Sequence, residues 1–342
     1  MKTFTGSLLI VVVGICFFTL LPAQEQDRLR DILIEEVLSL EGLEGNTFLQ
    51  KAGMTTDGEG NIYITDAKDY SIKKFNKFGQ LIKTIGKMGE KPGEFQCPSL
   101  IEYFSGKLYV SESFKPGIQV FDKDLNFEVK IPIRFSVTDL KVISNVEFFV
   151  SALAFDRTEE GDFNFCLYIF DPEEEKEDKK DKFINEKDKV IYNIAENFTI
   201  MNMVNFEIER DSNILIVYSW QDKIEKFSKD GNFLWTRTLF GNKKVKTRQK
   251  EGTKLTFTEY PLEVMYRATT MDIYGNLFIL GGDLSANKDR DVYVLSKHGE
   301  HLATLILPEP SNTIHIDSEN YLYSRSLEGR ILRKYVLEYV YE

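Results

Sequence analysis

Three histidines, His298, His301 and His315, are the whole imidazole complement of this 342-residue chain. A zinc centre built on imidazole needs about three of them converging on one point. Oxygen chemistry has more candidates: Asp139, Asn202, Asn205 and Asn312 offer the carboxylate and amide oxygens that calcium takes. Nucleophilic catalysis has little to start from. The chain carries no G-x-S-x-G elbow, no Walker loop and no His-Glu-x-x-His helix, and Gly281-Gly282 lacks the remaining spacing of a phosphate loop. A different chemistry, recognition through aromatic and arginine side chains, is open to Arg157, Trp220, Tyr266, Arg267 and Arg325, with the carboxylates of Asp66, Glu112 and Asp283 beside them. Which of these sets meets in space depends on the elements that carry them.

Those elements repeat. Six segments share a short turn followed by alternating apolar and aromatic residues: GNIYITD (60–66), GKLYVSE (106–112), VEFFVSA (146–152), NILIVYS (213–219), GNLFILG (275–281) and NYLYSRS (320–326). Their anchor residues Ile62, Leu108, Phe148, Ile214, Leu277 and Leu322 are mostly 40 to 46 positions apart, and the two longer intervals contain polar insertions. A second pattern follows four of them: a strand, a four-residue turn usually bearing Gly, and another strand, as in SIKKFNKFGQLIKTI (71–85) and KIEKFSKDGNFLWTRTL (223–239). Gly79, Gly231 and Gly299 fill the turn position that wants a positive φ. The third repeat keeps a strand over Leu167–Phe170 and delays its partner to Val190–Ile194.

Four strands per repeat, none able to bury both faces alone, predict an all-β fold: a six-bladed β-propeller with four-stranded blades. The last repeat has strands near Asn312–Ile316, Tyr321–Arg325 and Ile331–Val336, and then the chain stops. The missing fourth strand is expected from ILIEEVLSL (32–40), which would close the ring and remove two sheet edges. The period of this segment also fits a short helix.

The first repeat, DGEGNIYITDAKDYSIKKFNKFGQLIKTIGKMGEKPGEFQCPSL (57–100), resembles an NHL repeat. It has the D-x-x-x-G/N-x-I-Y-I-T-D opening, the x-I-x-K-F strand, the G-x-L-I-x-T-I-G strand and the P-G-E-F-x-x-P exit. With its looser copies the resemblance covers roughly residues 32–341, and it is to the six-bladed propellers of exported bacterial proteins. What it implies is a rigid binding platform. Similar propellers include peptidylglycine-amidating lyases, which hold zinc with inward histidines, and paraoxonase and gluconolactonase-like hydrolases, which hold calcium in the central tunnel. Fold alone does not choose among them.

The repeat alignment decides some of the chemistry. His298 falls on a hairpin tip, His301 on an outermost strand and only His315 on an inner strand, so the three cannot converge on zinc. Asp57 and Asp272 occupy one repeat position before a GN turn, where Asp caps the turn with its own side chain. Asp139, Asn202, Asn205 and Asn312 read first as hydrogen-bonding residues of turns and strand ends. No cofactor is therefore predicted, with calcium as the alternative.

Charge and loops complete the expectation. The chain has 43 Lys+Arg against 54 Asp+Glu, a formal charge of -11, which argues against a nucleic-acid partner. Residues 1–24 read as a cleaved signal peptide: Lys2, an apolar run from Leu8 to Leu21 too short to span a bilayer, then Pro22-Ala23-Gln24. Ile15 before Cys16 argues against lipidation, and Cys97 and Cys166 remain as two expected buried thiols. The sequon Asn197-Phe198-Thr199 matters only in a glycosylating host. Residues 25–342 are then one exported, monomeric propeller domain, periplasmic or extracellular, with no membrane anchor left after cleavage. The mixed-charge tract 171–189 reads as a solvated hairpin extension, with a partner-docking flap as the alternative, and the basic segment 241–254 as a solvated linker, with attraction of an anionic ligand, glycan or lipid headgroup as the alternative. Propeller topology puts 241–265 on the rim shared by inter-blade connections and second-to-third-strand loops, together with Asp66, Glu112, Arg157, Trp220, Tyr266, Arg267, Asp283 and Arg325. That rim is the expected surface for a protein, peptide or glycan; the alternative is a calcium-type hydrolase or lyase in the tunnel.

Overall fold

The structure, a computed structural model, describes residues 29–43, 53–113, 115–131, 136–143, 148–155, 163–170, 189–193, 203–249 and 259–342. The expected signal segment 1–24, Arg157, Asn197, Asn202 and the acidic tract up to residue 188 lie outside them. No helix among the described residues is long and apolar enough to cross a membrane.

Among the described residues the alternation of apolar and polar residues produces six four-stranded antiparallel sheets. Strand β1 (Leu29–Leu40) comes first and belongs to the last sheet. The first sheet then runs β2 (Met54–Thr56), β3 (Ile62–Asp66), β4 (Ser71–Phe75) and β5 (Leu81–Ile85). The second holds β6 (Pro98–Phe104), β7 (Lys107–Glu112), β8 (Lys115–Asp122) and β9 (Phe127–Ile131). The third holds β10 (Ser136–Val142), β11 (Phe148–Phe155), β12 (Phe163–Phe170) and β13 (Lys189–Asn193). The fourth holds β14 (Val204–Ile208), β15 (Ile214–Tyr218), β16 (Ile224–Phe227) and β17 (Phe233–Arg237). A two-stranded hairpin, β18 (Thr247–Gln249) with β19 (Glu259–Pro261), intervenes. The fifth sheet holds β20 (Tyr266–Met271), β21 (Leu277–Gly281), β22 (Asp291–Leu295) and β23 (His301–Ile306). The last holds β24 (Ser311–Ile316), β25 (Tyr321–Ser326) and β26 (Leu332–Tyr341), and β1 completes it.

The innermost strands touch in cyclic order, β2 to β6, β10, β14, β20, β24 and back to β2, so the sheets form a β-propeller ring. Its core lies between sheets. One cluster joins Tyr63 and Ile72 of the first to Leu108 and Phe121 of the second. Another joins Leu215 and Val217 of the fourth to Leu277 and Ile279 of the fifth. Across the seam, Ile62 and Ile64 pack against Tyr323 and Leu332.

The N-terminal segment is a strand, not the alternative helix. It starts earlier than the expected residue 32, because β26 runs on to Tyr341 and Leu29 pairs with that residue. Ile32 of β1 is buried in the cluster shared by the last two sheets.

Turn chemistry recurs from sheet to sheet. Asp57 Oδ1 accepts from the backbone N–H of Glu59 and of Asn61, both at 2.9 Å, and Asp272 does the same for Tyr274 and Asn276. In the outer hairpins Gly79, Gly231 and Gly299 take φ of 82°, 82° and 77°. The second sheet places Leu125 there instead, at φ 60°, a conformation that costs a non-glycine residue about 1 kcal/mol or more. Leu125 is buried against Phe121 and Phe127 in the core between the first two sheets, which offsets that strain.

Two expectations change. The segment after β17 is not a plain solvated linker: part of it pairs as β18–β19. Cys97 is half-buried rather than buried.

Candidate functional site

The rim that carries the inter-blade connections holds most of the residues expected there, and their side chains are largely engaged in building it. Asp66, fully buried, accepts from Lys73 Nζ at 2.7 Å. Glu112 accepts from the N–H groups of Gln96 and Cys97 at 2.5 and 3.1 Å, capping the connection that leads into β6. Arg325 is 0% exposed and donates to the carbonyl oxygens of Gly329 and Thr65 at 2.9 and 2.7 Å, tying the last sheet to the first. Burial pushes its guanidinium down to about 10, with Asp66 and Asp69 opposing that fall. Tyr266, also 0% exposed, donates to Asp222 at 2.6 Å; burial and that carboxylate raise its pKa.

Trp220, Arg267 and Asp283 remain nearer the surface. Trp220 packs its ring on the cluster between the fourth and fifth sheets. Arg267 pairs with Asp289 at 2.6 Å and with Asp283 at 3.8 Å, and Asp283 also accepts the N–H of Val264 at 2.8 Å. The aromatic pair is therefore split: Trp220 is half-exposed while Tyr266 is inside. Arg157 lies outside the described residues.

Sequence reasoning missed Asp222. Its carboxylate accepts three backbone N–H groups, from Leu239, Phe240 and Asn242 at 2.8, 2.9 and 2.8 Å, besides the Tyr266 hydroxyl. Gly282 serves close approach, since a Cβ there would sit 2.3 Å from the Val264 carbonyl oxygen.

The axis of the ring is a second polar region. A cavity of about 70 Å³ is walled by all six innermost strands, with Glu102 from β6, Asp139 and Lys141 from β10, Asn205 and Glu207 from β14, Thr269 from β20, His315 from β24 and Met54 from β2. Lys141 pairs with Glu207 at 3.1 Å. Burial works against the Lys141 charge, but Glu207, Glu102 and Asp139 outweigh it and raise its pKa. Burial raises Glu207 against the pull of Lys141. Thr269 donates its hydroxyl to Glu207 at 3.1 Å, and Asp139 accepts the Phe206 N–H at 3.0 Å. Burial pushes Glu102 up to about 7; Lys141 opposes this, and the like charges of Glu207 and Asp139 reinforce it. Burial and then Lys141 hold His315 down to about 3, and its Nε2 meets the Thr56 hydroxyl at 2.9 Å.

Of the oxygen donors named for calcium, Asp139 and Asn205 reach this cavity, while Asn312 is tied at the rim by donating to the Leu327 carbonyl oxygen. The three histidines take their expected places, with His298 in the β22–β23 turn, His301 on β23 and His315 on β24. Glu102, Lys141 and Glu207 had no signal of their own in the sequence. Each is one polar position in an alternating strand, and only closure of the ring makes them neighbours.

No family model matches this chain, and no curated protein matches its sequence. Among solved structures it is similar to a streptogramin B lyase, with TM-score 0.55 and 12% identity over 90% of this chain and 98% of that one. It is similar to a catalytically inactive virginiamycin B lyase from Staphylococcus aureus with quinupristin, with TM-score 0.56 and 10% identity over 90% and 99%. The WD40 β-propeller domain of Doa1 aligns with TM-score 0.54 and 12% identity over 89% and 97%. These likenesses establish the propeller fold; a WD40 domain and lyases both stand among them.

Proposed function

We propose that this chain is an exported, NHL-type propeller that works as a non-enzymatic binding module. It meets a protein, peptide or glycan partner on the rim where β18–β19 stands. The carrying observation is that hairpin. A propeller needs only a short connection between consecutive sheets, and here residues 238–265 supply a longer one with a hairpin of its own. Lys243, Lys244 and Arg248 are exposed along it, on a protein of formal charge -11, and Leu262 at its foot is 61% exposed. Local positive charge of this kind steers an anionic partner, and the apolar foot gives it a surface to desolvate.

Replacing residues 247–261 by Gly-Ser-Gly tests the reading. The purified protein should bind acidic peptides or anionic glycans saturably on arrays, and the replacement should abolish that binding while the thermal midpoint holds. Equal binding by both proteins sinks the assignment.

One observation favours the alternative, a tunnel hydrolase or lyase. Glu102 is held near 7 inside the ring, where a carboxyl group is poised for general acid–base work. Stoichiometric calcium surviving dialysis, together with loss of an identified activity in Glu102→Gln, would move the assignment there.

A further inference from the structure

Within the axial cavity every charged or titratable group but one is already committed to a neighbour. Lys141 is held by Glu207, Glu207 also by the Thr269 hydroxyl, Asp139 by the N–H groups of Leu140 and Phe206, and His315 by Thr56. Glu102 lines the same cavity, and its carboxyl group makes no hydrogen bond or ion pair with another described residue. A carboxylate inside a ring without a donor is costly.

We propose that the axial cavity binds one primary ammonium group, with the Glu102 carboxylate as its counter-ion. The charge count selects a cation: three carboxylates face one lysine, and His315 is neutral. It also selects a monovalent one. Calcium takes six to eight oxygens, whereas two of the three carboxylates are spoken for and the Lys141 ammonium is already inside the cluster. Size favours a compact group: about 70 Å³ is roughly half of the ~150 Å³ that takes up benzene in an engineered cavity. Among the described residues the lining contains no Phe, Tyr or Trp, and so offers no aromatic cage of the kind that recognises quaternary ammonium. A compact ammonium with three N–H donors fits what is left.

The groups facing Glu102 are Asp139 and Lys141 of β10, Glu207 of β14 and His315 of β24. Lys141 stays charged and His315 neutral near neutrality, and the Glu102 carboxyl, whose oxygens would hold the ammonium, carries the pH dependence. A bound ammonium favours its ionised form, and a proton competes for the same oxygens. Affinity therefore falls as pH drops below about 7, approaching about tenfold per pH unit.

Calorimetric titration of the purified protein with methylammonium chloride tests this. Saturable binding is expected at pH 8, weakening toward pH 6, with proton release at pH 6.5 seen as a dependence on the buffer's ionisation enthalpy. Glu102→Gln should weaken binding roughly tenfold to a hundredfold. Tetramethylammonium should not bind. Absence of methylammonium binding at pH 8, equal binding by Glu102→Gln, equal binding of tetramethylammonium, or binding without proton release would each overturn the proposal. The proton measurement uses the unaltered protein and holds even where the variant fails to fold. N-acetyl-lysinamide distinguishes the source: binding tighter than methylammonium assigns the cavity to a partner's lysine, weaker binding to a free amine, and both uphold the site. The proposal is independent of the hairpin, so the Gly-Ser-Gly replacement should bind methylammonium as the unaltered protein does.

Discussion

The rim and the axis are both crowded with charge, yet the two use it differently. On the rim a carboxylate is a structural cap. Glu112, Asp222 and Asp283 each accept backbone N–H groups from an inter-blade connection, as a helix N-cap residue would, and so fix how one sheet hands the chain to the next. On the axis the charges come from strands of different sheets and meet only because the ring closes. There one carboxyl group, that of Glu102, is without a hydrogen-bond or ion-pair partner among the described residues. A charge that looks free in sequence is therefore poor evidence for a site on the rim and better evidence along the axis.

The largest test of that contrast is Asp222→Ala. It strands three backbone N–H donors and the buried Tyr266 hydroxyl, and should destabilise the ring by about 4 kcal/mol. Urea unfolding at pH 7 measures it. A loss below about 1 kcal/mol would mean that water replaces the cap without cost and that rim carboxylates are free for ligands after all. Gly282→Ala comes next: its new Cβ, 2.3 Å from a backbone oxygen, should cost about 3 kcal/mol. The same unfolding measurement decides whether the rim backbone is as tightly set as its hydrogen bonds imply.

Why the ring was legible in the sequence, and the partners of the rim side chains were not, has a physical basis. Strand alternation, the GN turns and the glycine hairpins are local signals, and they found the sheets because each sheet is built from neighbours in the chain. Even the closing strand was legible, since the last repeat lacked its fourth strand. Asp222 was not, because Ser219, Trp220 and Gln221 set it beyond the repeat position of Asp66, and only the fold shows what it accepts. Tyr266 and Arg325 have the residue types of a recognition surface, but burial depends on what packs over them. Glu102, Lys141 and Glu207 stand at unremarkable strand positions far apart in sequence. Leu125, at a position that wants Gly, shows the reverse: packing overrides the local preference.

On the axis the expected effect has the opposite sign. Glu102 rises from 4.5 unfolded to about 7 folded, so the native state holds the proton more tightly. Its contribution to stability is therefore lost as pH rises from about 4.5 to 7. His315, lowered from 6.5 to about 3, loses stability as pH falls through that interval. The two slopes oppose each other between about pH 4.5 and 6.5. Glu102→Gln removes one of them: it should stabilise the protein at pH 8 by about 2 kcal/mol and make stability fall more steeply with acid. Urea midpoints from pH 5 to 8 give both numbers. A destabilised variant at pH 8 would show that Glu102 is held by a strong internal donor, and the axis would then resemble the rim.

The smallest expected effect separates the ring from what stands on it. Replacing residues 247–261 by Gly-Ser-Gly removes β18 and β19 but keeps Val245, which is buried in the cluster between the fourth and fifth sheets, and keeps Asp222 with its three N–H donors. The ion pair that remains at the hairpin's base, Lys246 with Glu263, is on the exposed surface and worth little. A shorter connection also lowers the closure entropy slightly. The net change in unfolding free energy should lie within about 0.5 kcal/mol. A loss above about 1.5 kcal/mol would make the hairpin a strut of the rim, built for stability as Asp222 is. A neutral result leaves an element that the ring does not need, and ordered chain that contributes nothing to the fold is what a binding surface requires.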